Sequence, residues 1–577
     1  MDRRSFLQTL IVLGLTNQGI FSAGAQTAQG RAQRRFIDAH CHFFNAKDLP
    51  VRGFIQEVVL GDYAELRPLP ATGQLPMAES VWKGLASLLI KQILGAGTPD
   101  PREEMQCLAE PAACDDFARF ARLPQIPRSA TFARDGETPE ARLLRLTLEE
   151  HYAAAESLNT RSATAVAQDE DIDAFVGFVL GEMKDKGRIA PEASPQRLRS
   201  ERAARSLFLV DIADFLTGGD SVFSRYFRWA NLLTAYRSQI IARYIALYQT
   251  AQRHLVLAAP ALVDFSYWLG DQTQGDLQEQ TKLMGLLSLR QASPVHGYAP
   301  FDPARNILHE PGKPSSLAIV QEAVAQHGFI GVKLYPPMGF RPSGNADERD
   351  YPPSVSQNDP GFGRKLDEQL FELYDWCARE DVAILAHTTD SQSANVDFGK
   401  RADPKFWLAV LEKHNGLRIN LAHFGNFSQA KSGGTYDLSL YPQTWEARIA
   451  ELIGDRRFTH LYADVSYFGW VLGTDSANTA NVTAVKKMCA EFLKADPAAE
   501  RLLFGTDWSF IAREDKFEAY LDGIEAFFRD LGLNDAAINN LFYRNAMRFF
   551  GLRSGEKTFS RLEAFYARNG KPMPSFA

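Results

Sequence analysis

The chain has 577 residues, of which 45% are hydrophobic, 23% charged and 11% aromatic. This composition excludes a disordered, collagen-like or polytopic membrane protein. A formal charge of -7 leaves no basic footprint for nucleic acid. Five cysteines in a chain this long are no disulfide scaffold, and no Cys-x2-Cys pair suggests structural zinc.

The chain opens Met1-Asp2-Arg3-Arg4-Ser5-Phe6-Leu7, ahead of an apolar run broken by polar residues. Paired arginines before Ser-Phe-Leu resemble a twin-arginine export signal, with Ala23-Gly24-Ala25 as the cleavage site and residues 1–25 removed. A membrane anchor needs about twenty mostly apolar residues, so no stable membrane insertion is expected. The implied partner is the twin-arginine export machinery, and the implied location is periplasmic or secreted. In an oxidising compartment Cys107 and Cys114 could pair; two unpaired buried thiols are the open alternative.

Short β-rich runs then recur at 36–42, 254–263, 295–301, 329–335, 382–387, 418–423, 460–465 and 501–507. Amphipathic stretches separate most of them, such as Leu370, Phe371, Leu373, Tyr374 and Cys377 at three- and four-residue spacing. Eight strands alternating with helices predict a (β/α)8 TIM-like barrel. A doubly wound open sheet is the alternative, but no Gly-x-Gly-x-x-Gly follows a strand.

Roughly two hundred residues separate the first two strands, where such a unit needs about thirty. Much of this span reads as helix, at 79–94, 139–158, 170–184 and 194–216, and 221–252 reads as the barrel's own first helix. The expected organisation is a barrel from 34–44 and 221–552, a large helical insertion or cap at 45–220, and a C-terminal tail at 553–577. An insertion at this point sits over the barrel mouth.

The chemistry gathers at strand ends. In Ile37-Asp38-Ala39-His40-Cys41-His42, residues two apart share a face, so the two imidazoles project together. Ala386-His387, Ala422-His423 and Phe504-Gly505-Thr506-Asp507 each put a ligand-type or proton-transfer side chain after an apolar run. On a barrel these positions converge at the mouth. Lys333 and Tyr335 end the fourth strand, where Lys333 reads most simply as a point charge for an anion. Asp464 ends the seventh strand and is placed to orient a ligand. His254 and His296 begin strands and read as structural; His151, His309, His327 and His414 read as surface residues.

These motifs, with Gly331-Val332-Lys333-Leu334-Tyr335-Pro336 and the closing Asn545-Ala546-Met547-Arg548-Phe549-Phe550-Gly551-Leu552, resemble the amidohydrolase superfamily. The likeness is to the amidohydrolase-related group that includes aminocarboxymuconate semialdehyde decarboxylase, and it omits the insertion. It implies one divalent metal, most plausibly Zn²⁺, held by His40, His42, His387 and Asp507. It also implies His423 as acid/base beside a metal-activated water, with Asp507 able to accept a proton. Some members bridge two metals with a carboxylated lysine, so a carboxylated Lys333 would imply two ions.

Three functions stay open: a hydrolase of a small-molecule amide, lactone or ester; a decarboxylase or hydratase of a small carboxylic acid; and a non-catalytic exported binding protein. Self-association into a homo-oligomer is left open.

Overall fold

Valine, isoleucine, leucine and alanine dominate the eight runs, and each run contains a parallel strand. A computed structural model describes residues 33–576, apart from 60–78, 111–137, 155–162, 190–192, 473–478 and shorter stretches at 201, 220, 222, 291–293, 310, 357–358, 391–392, 396, 433–434 and 515. The export signal expected at 1–25 and the Cys114 half of the expected pair lie outside the described residues.

The main strands are β1 (Arg34–Cys41), β2 (Arg253–Pro260), β3 (Tyr298–Pro300), β4 (Gly331–Leu334), β5 (Ala383–Thr389), β6 (Ile419–Gly425), β9 (Leu461–Asp464) and β10 (Leu502–Leu503). A small antiparallel hairpin, β7 (Lys431–Ser432) with β8 (Thr435–Tyr436), follows β6. Six strands pair in parallel in the order β10-β9-β6-β5-β4-β3, and β1 pairs in parallel with β2. Every residue of β5 and β6 is buried, as expected for parallel strands covered on both faces.

Backbone hydrogen bonds link the two sheets on both sides. Ala258 and Ala261 bridge Val295 and Tyr298 beside β3. On the other side, Ala39 N–H donates to Phe504 O (2.9 Å), Asp507 N–H to His40 O (2.7 Å) and His42 N–H to Trp508 O (2.7 Å). The end of β1 is thereby laced to the segment that carries Asp507.

Between strands the expected amphipathic helices form. Phe362–Glu380 buries Leu366, Leu370, Leu373, Tyr374 and Cys377 along one stripe. The span between β1 and β2 contains helices Glu79–Gly95, Pro101–Ala109, Pro139–Ala154, Ala163–Asp185 and Arg202–Thr217.

The single helix expected at 221–252 is two, Ser224–Leu233 and Arg237–Tyr248. The Thr234 hydroxyl donates to the Asn231 carbonyl (2.9 Å), and the N–H groups of Thr234 and Ala235 donate to the Asn231 and Leu232 carbonyls, closing the first helix. The second helix starts at Arg237, whose buried guanidinium pairs with Asp48 (2.6 Å) and Glu104 (3.0 Å). After this break Tyr244 reaches Asp38 on β1, while Trp229, before it, packs on Phe54 and Phe510.

Two further expectations need correction. His151 is buried rather than on the surface, its ring packed against Tyr152 at 4.7 Å, because the helix Pro139–Ala154 turns this face inward. The C-terminal tail expected at 553–577 holds a packed helix, Lys557–Arg568, which buries Leu562, Phe565 and Tyr566. Tyr566 lies 3.0 Å from His296, whose other ring nitrogen meets Gly328 O at 2.8 Å, so His296 is structural as expected. Cys107 is disulfide-bonded, and Cys41, Cys377 and Cys489 are buried free thiols. No described helix is long and apolar enough to cross a membrane.

Candidate metal centre

Alternation along β1 sends the rings of His40 and His42 to one side, with centroids 5.4 Å apart. Gly505 lets the end of β10 come close: a Cβ there would lie 2.9 Å from His40 Cβ and 3.0 Å from Ser466 Cβ. Two residues on, Asp507 Oδ1 stands 3.1 Å from His42 Nε2 and 3.9 Å from His40 Nε2. All three side chains are buried. Asp507 and His423 both adopt left-handed backbone, with φ of 54° and 63°.

Hydrogen bonds settle which ring nitrogens carry protons. His42 Nδ1 lies 2.7 Å from the Ala261 carbonyl, which only accepts, so the ring proton sits on Nδ1. Nε2 therefore presents a lone pair to Asp507 Oδ1. His40 Nδ1 lies 3.1 Å from Asp464 Oδ2, which likewise fixes its proton and leaves Nε2 bare. The Ser466 hydroxyl donates to Asp464 Oδ1, so its oxygen accepts from His423 Nδ1 at 3.0 Å. His423 Nε2 then accepts from His387 Nδ1 at 3.0 Å, and Thr389 donates to His387 Nε2 at 2.8 Å. The whole chain of bonds is consistent with neutral imidazoles.

Burial sets the protonation balance. It lowers His40 to about 3, with the Lys333 charge adding to the effect, and it also lowers His387 and His423. Burial alone would raise Asp464 and Asp507, but the surrounding imidazoles, with Ser466 at Asp464, outweigh it and hold both below the usual carboxylate range. Lys333 is brought down by burial to about 8, opposed by Asp507 and Asp464, and its Nζ lies 3.2 Å from His40 Nε2.

The structure thus brings His40, His42 and Asp507 together, with His423 and Lys333 on either side of His40. His387 is held one ring further out, against His423 and Thr389. Tyr335 stacks on His387 at 4.3 Å and has the Lys333 ammonium 5.7 Å from its ring centre.

A roof of aromatic rings covers the centre. Phe44 and Phe510 pack against His42 at 5.2 and 5.6 Å. Trp229 bridges Phe510 (6.3 Å) and Phe54 (6.4 Å). Phe54 stacks on Phe265 (6.1 Å), which meets Tyr335 at 4.8 Å. The rings run in an unbroken arc from His42 to His387, and both Phe54 and Trp229 come from the chain between β1 and β2.

The donor set fits a cation. Asp507 Oδ1 is buried with no hydrogen-bond partner, although a bare imidazole nitrogen faces it at 3.1 Å. Two buried lone pairs in contact repel, and a positive ion between them removes that repulsion. The ligand atoms of His40, His42 and Asp507 all lie within 4.8 Å of one another. Tetrahedral zinc at its usual bond lengths holds ligand atoms about 3.4 Å apart. Residues 308–552, which carry Lys333, His387, His423, Asp464 and Asp507, match the sequence model of the Amidohydrolase family.

The match spans less than half of the chain, and over that segment the chain is similar to the amidohydrolases. His40 and His42 lie outside the matched residues, so the geometry, rather than the family match, joins them to the amidohydrolase segment. No curated protein matches the chain. Among solved structures, an amidohydrolase from Burkholderia multivorans is similar at 15% identity and a TM-score of 0.36, covering 56% of this chain and 92% of that one. A zinc-bound crystal form of a Burkholderia multivorans amidohydrolase is similar at 14% identity and a TM-score of 0.34, covering 56% and 92%. A TIM-barrel protein from Bordetella bronchiseptica is similar at 14% identity and a TM-score of 0.34, covering 54% and 82%.

Sequence reasoning passed over Asp38, Asn420, Ser466, Thr389 and Thr506. Asp464 takes Asn420 Nδ2 (2.7 Å) and the His423 N–H (2.9 Å) as well as His40, tying three strands together. Ser466 lies two residues beyond Asp464, so strand alternation puts it on the same side.

Proposed function

We propose that this chain is an exported, metal-dependent hydrolase of a small-molecule amide, lactone or ester. The observation that carries the reading is the unpartnered Asp507 Oδ1 facing the bare Nε2 of His42. His40, His42 and Asp507 would hold one divalent ion, zinc by the chemistry of the set, with His387 as the fourth ligand after giving up Thr389. Such an ion, when bound, polarises a carbonyl and makes water acidic enough to ionise near neutral pH.

The chain's own residues supply the rest. Asp464 and the Ala261 carbonyl hold the tautomers of His40 and His42. His423 keeps its Nδ1 proton on Ser466, and its Nε2, which accepts from His387 Nδ1 in this structure, would take a proton and return it to a leaving group once parted from that ring. The aromatic roof keeps bulk water from these groups. Lys333 supplies a buried positive charge beside His40, suited to an anionic substrate group or, if carboxylated, to a second ion.

Lys333 also favours a second reading, release of CO2 from a small carboxylic acid, the chemistry of aminocarboxymuconate semialdehyde decarboxylase. We infer further that the two sheets close as a (β/α)8 barrel, supported by backbone bonds on both sides, with 45–220 as its cap. A disulfide at Cys107 supports an oxidising destination. The test is a metal count on purified protein, followed by a panel of esters, lactones, amides and carboxylic acids. One ion with hydrolysis products supports the first reading; CO2 release replaces it with the second. An ion with no turnover of any substrate leaves a binding protein.

A further inference from the structure

Asp507 Oδ1 has a counterpart in the roof. The indole Nε1 of Trp229 is also buried without a hydrogen-bond partner, on a side chain only 1% exposed. Buried donors in folded proteins are paired in the great majority of cases, so one kept unpaired beside a reactive centre calls for an explanation. The two rings packed on Trp229, Phe54 and Phe510, have no acceptor to offer. Phenylalanine fills every other ring position in this part of the roof, which shows that a ring without a donor suffices for packing there. Trp508 and Trp407 Nε1 are unpartnered too, but those rings pack on Tyr244 and Tyr248 and on Tyr374, outside the roof.

We propose that Trp229 is a substrate-binding residue supplied by the chain between β1 and β2, its indole N–H donating to an oxygen acceptor on a planar, apolar substrate. The inference rests on the hydrolase reading and narrows it to substrates with an aromatic-sized body beside the carbonyl. Planarity follows from a wall built of aromatic rings, Phe54, Phe510 and Trp229, which pack on one another and accommodate a flat ring best. Apolar character follows from a roof that has no charged side chain between Phe510 and Phe265. Entry of a ligand parts Trp229 from Phe510. The indole gives up no hydrogen bond when it turns to the ligand, so the new bond counts in full toward binding.

The test uses the zinc-loaded full chain with two probes. Dihydrocoumarin, a lactone, reads turnover, and 4-chromanone, a ketone of the same shape that cannot be hydrolysed, reads binding by calorimetry. W229F keeps a ring and removes the donor. It should keep its metal, raise KM for dihydrocoumarin with little change in kcat, and bind chromanone about tenfold more weakly. W229H keeps a ring N–H and should bind chromanone within about threefold of the native chain. The variants are read separately, so either one that folds decides the question. No loss in W229F, a tenfold loss in W229H, or no binding of chromanone by the native chain overturns the proposal. Failure of the hydrolase reading looks different: dihydrocoumarin stays intact while chromanone still binds and is lost in W229F.

Discussion

Asp38 receives both the backbone N–H of Thr506, at 3.0 Å, and its hydroxyl, at 2.6 Å. The same carboxyl takes the Tyr244 hydroxyl at 2.6 Å. One buried side chain on β1 therefore sets the residue that precedes Asp507, and it ties the helix Arg237–Tyr248 to both. Asp38→Ala orphans these donors and should cost about 2–4 kcal/mol. Urea unfolding checks the stability, and zinc titration should show weaker binding even though Asp38 is not among the proposed ligands. Native zinc affinity in the variant would reduce Asp38 to a purely structural role.

Asp507→Ala and His42→Ala should each strip the ion, read by plasma emission on dialysed protein. His423→Asn should keep it and lose about 100-fold or more in turnover, the scale of a general acid–base group. A variant at His423 with native turnover would remove that residue from the chemistry.

Ser466 is the one hydroxyl shared by His40 and His423, at 2.9 and 3.0 Å. Ser466→Ala releases the proton on His423 Nδ1 from its acceptor and lets the other tautomer compete. Metal content should hold, while kcat falls about 10- to 100-fold, as for other residues that orient a ligand or base. A shifted pH–rate profile would separate this effect from simple loss of packing.

Glu446 gives a pH dependence away from the centre. Burial raises its carboxyl from 4.5 to about 8, while one oxygen accepts from the Phe427 N–H. The folded chain therefore holds this proton over a window where the unfolded chain has lost it. The contribution of Glu446 to stability is greatest below pH 4.5 and is lost as pH rises toward 8. The slope reaches at most about 1.4 kcal/mol per pH unit. Glu446→Gln should flatten the urea midpoint between pH 5 and 8, a window bounded by those two values.

All eight runs singled out from sequence contain strands because hydrophobic strand patterning is local, and the ends of those strands carry the clustered His and Asp side chains. His40, His42 and Asp507 meet as the spacing predicts. His387 bonds to His423 and Thr389 in the folded chain, and that ring orientation depends on neighbours that a linear motif does not encode. Trp229, Ser466 and Asp38 escaped for the same reason, since each matters only through a partner distant in sequence. The single helix expected at 221–252 failed at Thr234, where a side chain takes a carbonyl and the turn ends, a local signal that apolar periodicity overrides on paper.

His423 and Asp507 hold backbone conformations that glycine adopts freely and most side chains resist. Each position costs on the order of 1–3 kcal/mol of strain. Glycine at either place would make a sturdier fold with an empty reaction chamber. A search for heat-resistant variants, run without a functional screen, would be drawn toward those substitutions and would discard the catalyst first.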